Sequence, residues 1–246
     1  MTVNKKFEKI SCKSCTNSNC FVRQFCTPEW IEKIDQKKYQ TFYEQGQFII
    51  HEGAPVLGIY FIQNGKVKVL SRGLTGKHQI VRFAREGHIL GHRGEGNDVY
   101  PISAVAMESS LICFVDNHIL SELFQQNPEF TTGLMMYYSR ELRKMEDRMK
   151  NIAQMNIREK IAESLLLMYE VFGTNEQNEI DIHFTREDIA NLAGTTAEQV
   201  VRQFTDFEEE GLIKKNARKI QLVNMDRLQR IIRDHNPHHI EFERNG

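Results

Sequence analysis

The stretch between Gly133 and Gly173 constrains the fold most, because it contains neither glycine nor proline. Apolar residues recur along its first half at steps of four, four, three, four and three: Leu134, Tyr138, Leu142, Met145, Met149 and Ile152. This spacing places them on one narrow stripe of a long α-helix whose opposite face is charged. A narrow apolar stripe is typical of a coiled-coil seam, so we predict a homodimer seam here. The alternative is a helix that lies on its own β domain.

A β domain precedes this helix. Short runs of β-branched and aromatic residues fill residues 46–116, and glycines fall between them about every ten residues. The pair Asn64-Gly65 has the composition of a two-residue turn. Such short, evenly spaced strands predict an antiparallel sandwich or barrel. The fold class is therefore α+β.

A helix-turn-helix pattern lies within residues 184–202. Two capping boxes start its helices, Thr185 with Asp188 and Thr196 with Gln199. Gly194 supplies the turn between them. The hairpin predicted to follow, over residues 212–223, carries four cations: Lys214, Lys215, Arg218 and Lys219. Together these elements form a winged helix-turn-helix.

The second helix of this unit carries the residues that we expect to read DNA. Glu198 and Arg202 are four residues apart and so share one face of the helix. Reading a G·C pair in the major groove requires such an acceptor for cytosine beside a bidentate donor for guanine. The alternative is a surface ion pair that stabilises the helix. The predicted DNA contacts are Arg186, Thr196, Glu198, Val201, Arg202, Lys215 and Lys219.

The overall charge gives no sign of a nucleic-acid partner. The chain holds 32 Lys and Arg against 33 Asp and Glu, and residues 157–246 hold 12 against 17, a net of −5. Phosphate contacts must therefore come from a local patch. No apolar run is long enough to span a membrane, and the N-terminus lacks an apolar signal core. We therefore expect a cytoplasmic protein without a membrane partner.

Five cysteines stand at Cys12, Cys15, Cys20, Cys26 and Cys113. In the reducing compartment expected for this chain, clustered thiols bind metal or sense redox state more often than they form disulfides. Four thiolates can hold an iron–sulfur cluster or zinc, and bare thiols can act as a redox switch. Cys113 taken alone has the further alternative of a small buried hydrophobe.

The β domain with Asn64-Gly65, the long helix, and the winged helix with Glu198 and Arg202 resemble the CRP/FNR superfamily of bacterial transcription regulators. The resemblance implies a cyclic-nucleotide-binding-like β-roll (a double-stranded β-helix), a dimerisation helix and a C-terminal winged helix-turn-helix. It implies a homodimer that binds palindromic double-stranded DNA, with RNA polymerase as a further partner. It also implies that the protein is not an enzyme. The implied bounds are a cysteine-rich segment at 1–35, the β-roll at 36–126, the dimerisation helix at 127–155, the winged helix at 156–234 and a flexible tail at 235–246.

The cysteines resemble those of the FNR branch, which ligates an oxygen-sensing [4Fe-4S] cluster. Cys20 and Cys26, followed by Pro28, are similar to the branch's C-x5-C-x-P ending, and Cys113 is similar to its strand cysteine. The upstream spacing departs from the branch. We predict a [4Fe-4S] cluster, with zinc as the alternative. Two ligand sets stay open: Cys15, Cys20, Cys26 and Cys113, or Cys12, Cys15, Cys20 and Cys26.

The cyclic-nucleotide-binding branch fits less well. Where that branch has a Gly-Glu pair for the ribose and an Arg-Ser pair for the phosphate, this chain has Gly91-His92 and Ile102-Ser103. Ile102 offers no charge-assisted bond to a phosphate, which leaves His92 or Arg93 as substitutes. The resemblance to FNR also implies that Asp147 lies beside the seam and repels its partner without the cluster. The alternative is a solvated carboxylate.

Overall fold

The computed structural model describes residues 9–94, 96–216 and 219–233. The chain divides into two compact units, Met1–Arg72 with Val81–Tyr138 and Gly73–Ile80 with Ser139–Gly246. The flexible tail predicted for residues 235–246, and Arg218 of the predicted basic hairpin, lie outside the described residues.

The first unit contains the predicted β domain. Its strands are Tyr39–Tyr43 (β1), Phe48–Ile50 (β2), Gly58–Asn64 (β3), Lys66–Arg72 (β4), His78–Arg85 (β5), Ile89–Leu90 (β6), Ser103–Ala106 (β7) and Ser110–Asp116 (β8). They form two four-stranded sheets, with the orders β1-β8-β3-β6 and β2-β7-β4-β5. The pairs β1–β8, β3–β8 and β4–β7 are antiparallel. The prediction of an antiparallel sandwich is confirmed.

The Asn64-Gly65 turn connects two strands without closing a hairpin within one sheet. The strands on either side of it, β3 and β4, belong to different sheets. Gly65 has a φ of +112°, and a Cβ there would lie 2.2 Å from Ser110 Oγ. Glycine is needed because the chain turns a corner between the sheets directly against β8, where no side chain fits.

The first unit also contains helices that the sequence patterns did not predict, Phe21–Phe25 (α1), Pro28–Lys37 (α2) and Asn117–Gln126 (α3). The hydroxyl of Thr27 caps α2 by accepting from the Trp30 N–H at 3.5 Å, and Pro28 takes the first helical position. Apolar side chains of these helices and of the first sheet form one buried cluster. It includes Phe21, Val22, Trp30, Ile34, Ile59, Phe61, Ile89, Val115, Ile119, Leu120 and Leu123.

The long helix Pro128–Gln154 (α4) begins inside the first unit. Phe130 and Leu134 belong to the buried cluster, and Leu134 is only 6% exposed. At this end the helix lies on its own β domain, which was the alternative to a seam. Leu134 is therefore a core residue, because the surrounding cluster already covers it.

The apolar stripe that α4 exposes begins at Met135, whereas the predicted stripe begins at Leu134. Met135, Leu142 and Met149 are exposed and seven residues apart, and three residues after each come Tyr138, Met145 and Ile152. This is the heptad spacing of a coiled coil. Met135 was missed because the predicted stripe began one residue earlier, at Leu134. The proposed seam is therefore Met135, Tyr138, Leu142, Met145, Met149 and Ile152.

Asp147 does not lie beside this stripe. It is two residues from both Met145 and Met149, which places it about 200° around the helix from each. Its Oδ1 atom is 2.9 Å from Lys150 Nζ. This arrangement favours the alternative, a solvated carboxylate on the charged face of α4, over the implied position beside the seam.

The second unit contains the winged helix-turn-helix. Its elements are Ile157–Phe172 (α5), Arg186–Ala193 (α6), Ala197–Glu209 (α7), Ile213–Asn216 (β9), Lys219–Leu222 (β10) and Met225–Arg233 (α8). The capping boxes of Thr185 and Thr196 are confirmed, and Gly194 ends α6 in the left-handed conformation. Arg148 Nη2, on the second half of α4, donates to the Leu192 carbonyl at 3.0 Å. This bond ties the end of α6 to α4.

Met149→Glu should weaken the dimer, because it would bury a carboxylate, and in a symmetric seam bring two together. We expect the dimer dissociation constant to rise more than about tenfold, measured by sedimentation. Met136→Glu is the matched control, since Met136 is also exposed but lies off the heptad. An unchanged dissociation constant for Met149→Glu, or equal weakening by both variants, would contradict the seam.

Candidate cysteine cluster and nucleic-acid interface

Three cysteines lie in or beside the buried cluster of the first unit. Cys20 and Cys26 are the N-cap and C-cap of α1, and Cys26 is 9% exposed. Cys113 lies on β8, opposite Gln40 of β1 and Phe61 of β3. Both Cys20 and Cys113 pack against the cluster while remaining partly exposed. The N-terminal cysteines Cys20 and Cys26 and the distant Cys113 thus lie in or beside the same buried cluster.

Cys12 belongs to the same group. Burial, together with the neighbouring Cys20 and Cys12, raises the pKa of Cys26 to about 12. Burial likewise raises the pKa of Cys113 to about 11, again with Cys20 and Cys12 nearby. Cys15 acts on Cys20 but is not among the described neighbours that shift Cys26. Cys12 and Cys20 thus both act on Cys26 and Cys113, whereas Cys15 acts on Cys20.

Polar side chains contact two of these sulfur atoms. Lys38 Nζ is 3.1 Å from Cys12 Sγ, and Gln40 Nε2 is 3.4 Å from Cys113 Sγ. Asp35 accepts from the backbone N–H of Cys12 at 2.7 Å. Burial opposes the charge of Asp35, but hydrogen bonds from the Ser11 hydroxyl, Cys12 and Lys38 hold its pKa well below the usual range. Lys38 was missed because nothing in the Lys37-Lys38 pair marks either residue as buried.

The donor set suits an iron–sulfur cluster. Thiolates are the ligands that such clusters take. Cys20, Cys26 and Cys113 lie in or against a buried cluster that also contains aromatic rings. In the part of the chain that the structure describes, no three Cys, His, Asp or Glu side chains converge on one metal ion. A [4Fe-4S] cubane takes one thiolate at each of four irons, so its ligands do not converge on a single ion.

The positions that correspond to the cyclic-nucleotide cassette are filled by core side chains. Ile102 is buried, and Ser103 Oγ accepts from the Glu52 N–H at 3.0 Å. The buried ring of His92 makes edge contacts with Tyr137 and Tyr138, with ring centroids 5.3 Å away in both cases. The His92 ring is therefore a packed core side chain. Ile102 has no positive charge with which to bind a phosphate.

The recognition face of α7 is exposed. Glu198, Val201, Arg202 and Thr205 all face solvent at the spacing of one helix face. Hydrogen bonds from its own backbone N–H and from the Thr196 hydroxyl lower the pKa of Glu198, which favours an ionised acceptor. No ion pair between Glu198 and Arg202 is present among the described residues, so the surface-pair alternative lacks support.

The other cations predicted to contact DNA are partly buried or form ion pairs within the chain. Arg186 is half-buried, with its guanidinium carbon 4.7 Å from the centre of the Phe204 ring. Lys215 Nζ lies 2.7 Å from Glu208 Oε2, and Lys219 Nζ lies 3.5 Å from Glu179 Oε2. Lys214, which was part of the basic hairpin but not of the predicted contact set, is exposed on β9. Its exposure makes it the better candidate for a phosphate contact.

Within the described ranges, no helix has both the length and the apolar character that crossing a membrane requires.

Comparisons with known families match both units. The Crp-like helix-turn-helix domain matches residues 159–231, and the cyclic nucleotide-binding domain matches residues 40–127. The transcriptional activator protein anr of Pseudomonas aeruginosa is 26% identical over 216 residues, covering 87% of this chain and 88% of the relative. The transcriptional regulatory protein btr of Bordetella pertussis is 27% identical over 224 residues, covering 87% and 92%. These relatives span nearly the whole chain.

A solved structure has the same fold. FixK2 from Bradyrhizobium japonicum superposes with a TM-score of 0.70 at 24% identity, covering 79% of this chain and 96% of FixK2. At this level of identity the likeness concerns the arrangement of helices and strands alone.

Alkylation of the metal-free protein should be slow at Cys26 and Cys113. With pKa values of about 12 and 11, both thiols should hold far less thiolate at pH 8 than free cysteine, whose pKa is about 8.5. Because the pKa values are raised, the rates should keep rising with pH beyond pH 9. Mass spectrometry after iodoacetamide treatment measures each site, and free cysteine is the reference. Labelling of Cys26 at the reference rate would show that α1 is not packed as described.

Proposed function

We propose that this chain, which belongs to the CRP/FNR superfamily of transcription regulators, is a homodimeric DNA-binding regulator that senses oxygen, nitric oxide or redox state through an iron–sulfur cluster. The observation that carries the sensing proposal is that Cys20, Cys26 and Cys113 lie in or against one buried apolar cluster, with Cys12 among the neighbours that act on Cys26 and Cys113. Palindromic DNA, a second copy of the chain and RNA polymerase are the partners that the superfamily implies.

The cluster ligands are proposed to be Cys20, Cys26 and Cys113 with Cys12 as the fourth. Cys15 is the alternative fourth ligand, as the resemblance to the FNR branch implies. When bound, the cluster supplies a redox-active group whose stability depends on the charges and hydrogen bonds around its sulfurs. The protein's own part is to deliver four thiolates, exclude water with Phe21 and Phe25, and tie the segment to the rest of the unit.

Phe25 connects the proposed ligand Cys26 to α4. Its ring lies so close to the helix that a Cβ at Gly133 would be 2.6 Å from Phe25 Cδ1. Asn127 Nδ2, just before α4, donates to the Phe25 carbonyl at 2.7 Å. Because Cys26 follows Phe25 directly, a metal that holds Cys26 also holds the contact with Gly133. We infer that the cluster acts on the dimer through the start of α4.

DNA reading is assigned to the exposed face of α7. Arg202 is proposed to donate two bonds to guanine, and Glu198 to accept from the paired cytosine. Val201, which is 52% exposed, presents an apolar group suited to a thymine methyl. Thr196 caps the helix at the end that enters the groove. The wing is proposed to contact phosphate, most directly through Lys214.

The colour and metal content of anaerobically purified protein test the sensing proposal. A brown solution absorbing near about 400 nm, with about four irons per chain, is expected. Cys20→Ser, Cys26→Ser and Cys113→Ser should each abolish the absorbance, whereas only one of Cys12→Ser and Cys15→Ser should do so. About one zinc per chain without iron, or a colourless protein that cyclic AMP or GMP stabilises against heat, would refute the cluster.

Arg202→Ala should relax sequence preference at one base pair of each half-site and cost about 1–3 kcal/mol on the preferred site. Lys214→Ala should instead weaken all sites equally and lower the salt slope of binding by about one unit. The two are compared over a half-site mutant series at fixed salt, and over a salt series on one site. If Arg202→Ala weakens every sequence equally, Arg202 is a phosphate contact and the orientation proposed for α7 is mistaken.

A further inference from the structure

Lys38 is a buried cation beside the thiol group. The residue is 5% exposed, and it follows α2, whose Ile34 carbonyl accepts its backbone N–H at 2.7 Å. Taking an ammonium out of water is costly unless its protons are all bonded. Its burial therefore calls for an account of what each proton contacts.

Each of the three protons of the ammonium has a partner. Lys38 Nζ lies 2.9 Å from Asp35 Oδ1, 2.9 Å from the Ile10 carbonyl oxygen and 3.1 Å from Cys12 Sγ. The carboxylate and the carbonyl anchor the ammonium, and the third proton is directed at sulfur. A neutral thiol is a weak acceptor, whereas a charged acceptor makes a stronger and shorter bond. The contact therefore suits a sulfur that becomes negatively charged when a metal binds. In the metal-free chain burial raises the pKa of the Cys12 thiol, and Lys38 offsets this only in part.

The same charge reaches other members of the group. Cys20 and Cys113 also lie within electrostatic range of the Lys38 ammonium. Asp35, the paired carboxylate, is held by other donors, the Ser11 hydroxyl at 2.5 Å and the Cys12 N–H at 2.7 Å. Asp35 thus fixes the position of Lys38 and of the Cys12 backbone together. A single anchored cation faces a group of sulfurs that would be anionic with a metal bound.

We propose that Lys38 is a positioning residue for the iron–sulfur cluster, holding Cys12 as its fourth ligand and offsetting part of the negative charge of the ligated cluster. The proposal rests on the proposed function. It makes Cys12 a ligand and leaves Cys15 as the spare cysteine. Hydrogen bonds to ligand sulfurs and nearby charge set the stability and the reduction potential of such clusters. Lys38 should raise both.

The test compares wild-type protein with the double variant Asp35→Asn/Lys38→Met in the full-length chain. The double variant loses both members of the buried pair, so no lone charge is left to unfold the segment. Both are reconstituted anaerobically, and iron content, reduction potential and the rate of loss of visible absorbance in air are measured. The double variant should lose its cluster at least about tenfold faster than wild-type protein and have a more negative potential. Lys38→Arg in the wild-type background should retain most of the wild-type stability.

A second comparison uses the cysteines and does not depend on changes to Lys38. Cys12→Ser should lower bound iron and Cys15→Ser should leave it unchanged. The opposite result, or equal cluster lifetimes and potentials in wild-type protein and the double variant, would overturn the role of Lys38 while leaving a cluster in place. Wild-type protein that takes up no iron under the same conditions would overturn the proposed function itself.

Discussion

The packing of helix α1 between the first sheet and the start of α4 is the contact on which the proposed sensor depends. Phe21 stacks edge-on against Phe130 at 5.3 Å and lies 4.6 Å from Phe25, measured between ring centroids. Burying one such ring is worth about 1.5–3 kcal/mol. A five-residue helix has no stability of its own, so these rings hold it in place. Cys20 and Cys26 stand at its two ends, and their separation is therefore set by core packing.

In the second unit, which has more acidic than basic residues, ion pairs form between neighbouring side chains. Glu208 and Glu179 engage Lys215 and Lys219, and this leaves the α7 face with Glu198 and Arg202 unpaired with each other. These two acidic residues thereby stabilise the strands of the wing. Affinity for phosphate would then depend on the few cations that remain exposed, so binding should be modest and its salt slope shallow.

The sequence predicted those elements whose signals are local. Capping boxes at Thr185 and Thr196 set helix starts within one turn, and the β-branched runs located most strands. Strand β1 was missed because much of Tyr39–Tyr43 is exposed, so no apolar run marks it. The buried position of Lys38 and the choice of Met135 over Leu134 could not be predicted, because both depend on which neighbours cover a side chain. Grouping Cys12 with Cys113 likewise needs the fold, since the two lie far apart in sequence.

Helix α4 spans both units, and its two halves make different contacts. Up to Tyr138 its inner side is committed to the first unit through Phe130, Leu134 and the Phe25 contact at Gly133. Beyond that point Leu142, Met145 and Met149 are exposed, and Arg148 Nη2 donates to the Leu192 carbonyl at the end of α6. The Phe25 contact at Gly133 and the proposed heptad stripe therefore lie on one continuous helix. If the proposed cluster acts on the proposed dimer, α4 is the element that contains both contacts.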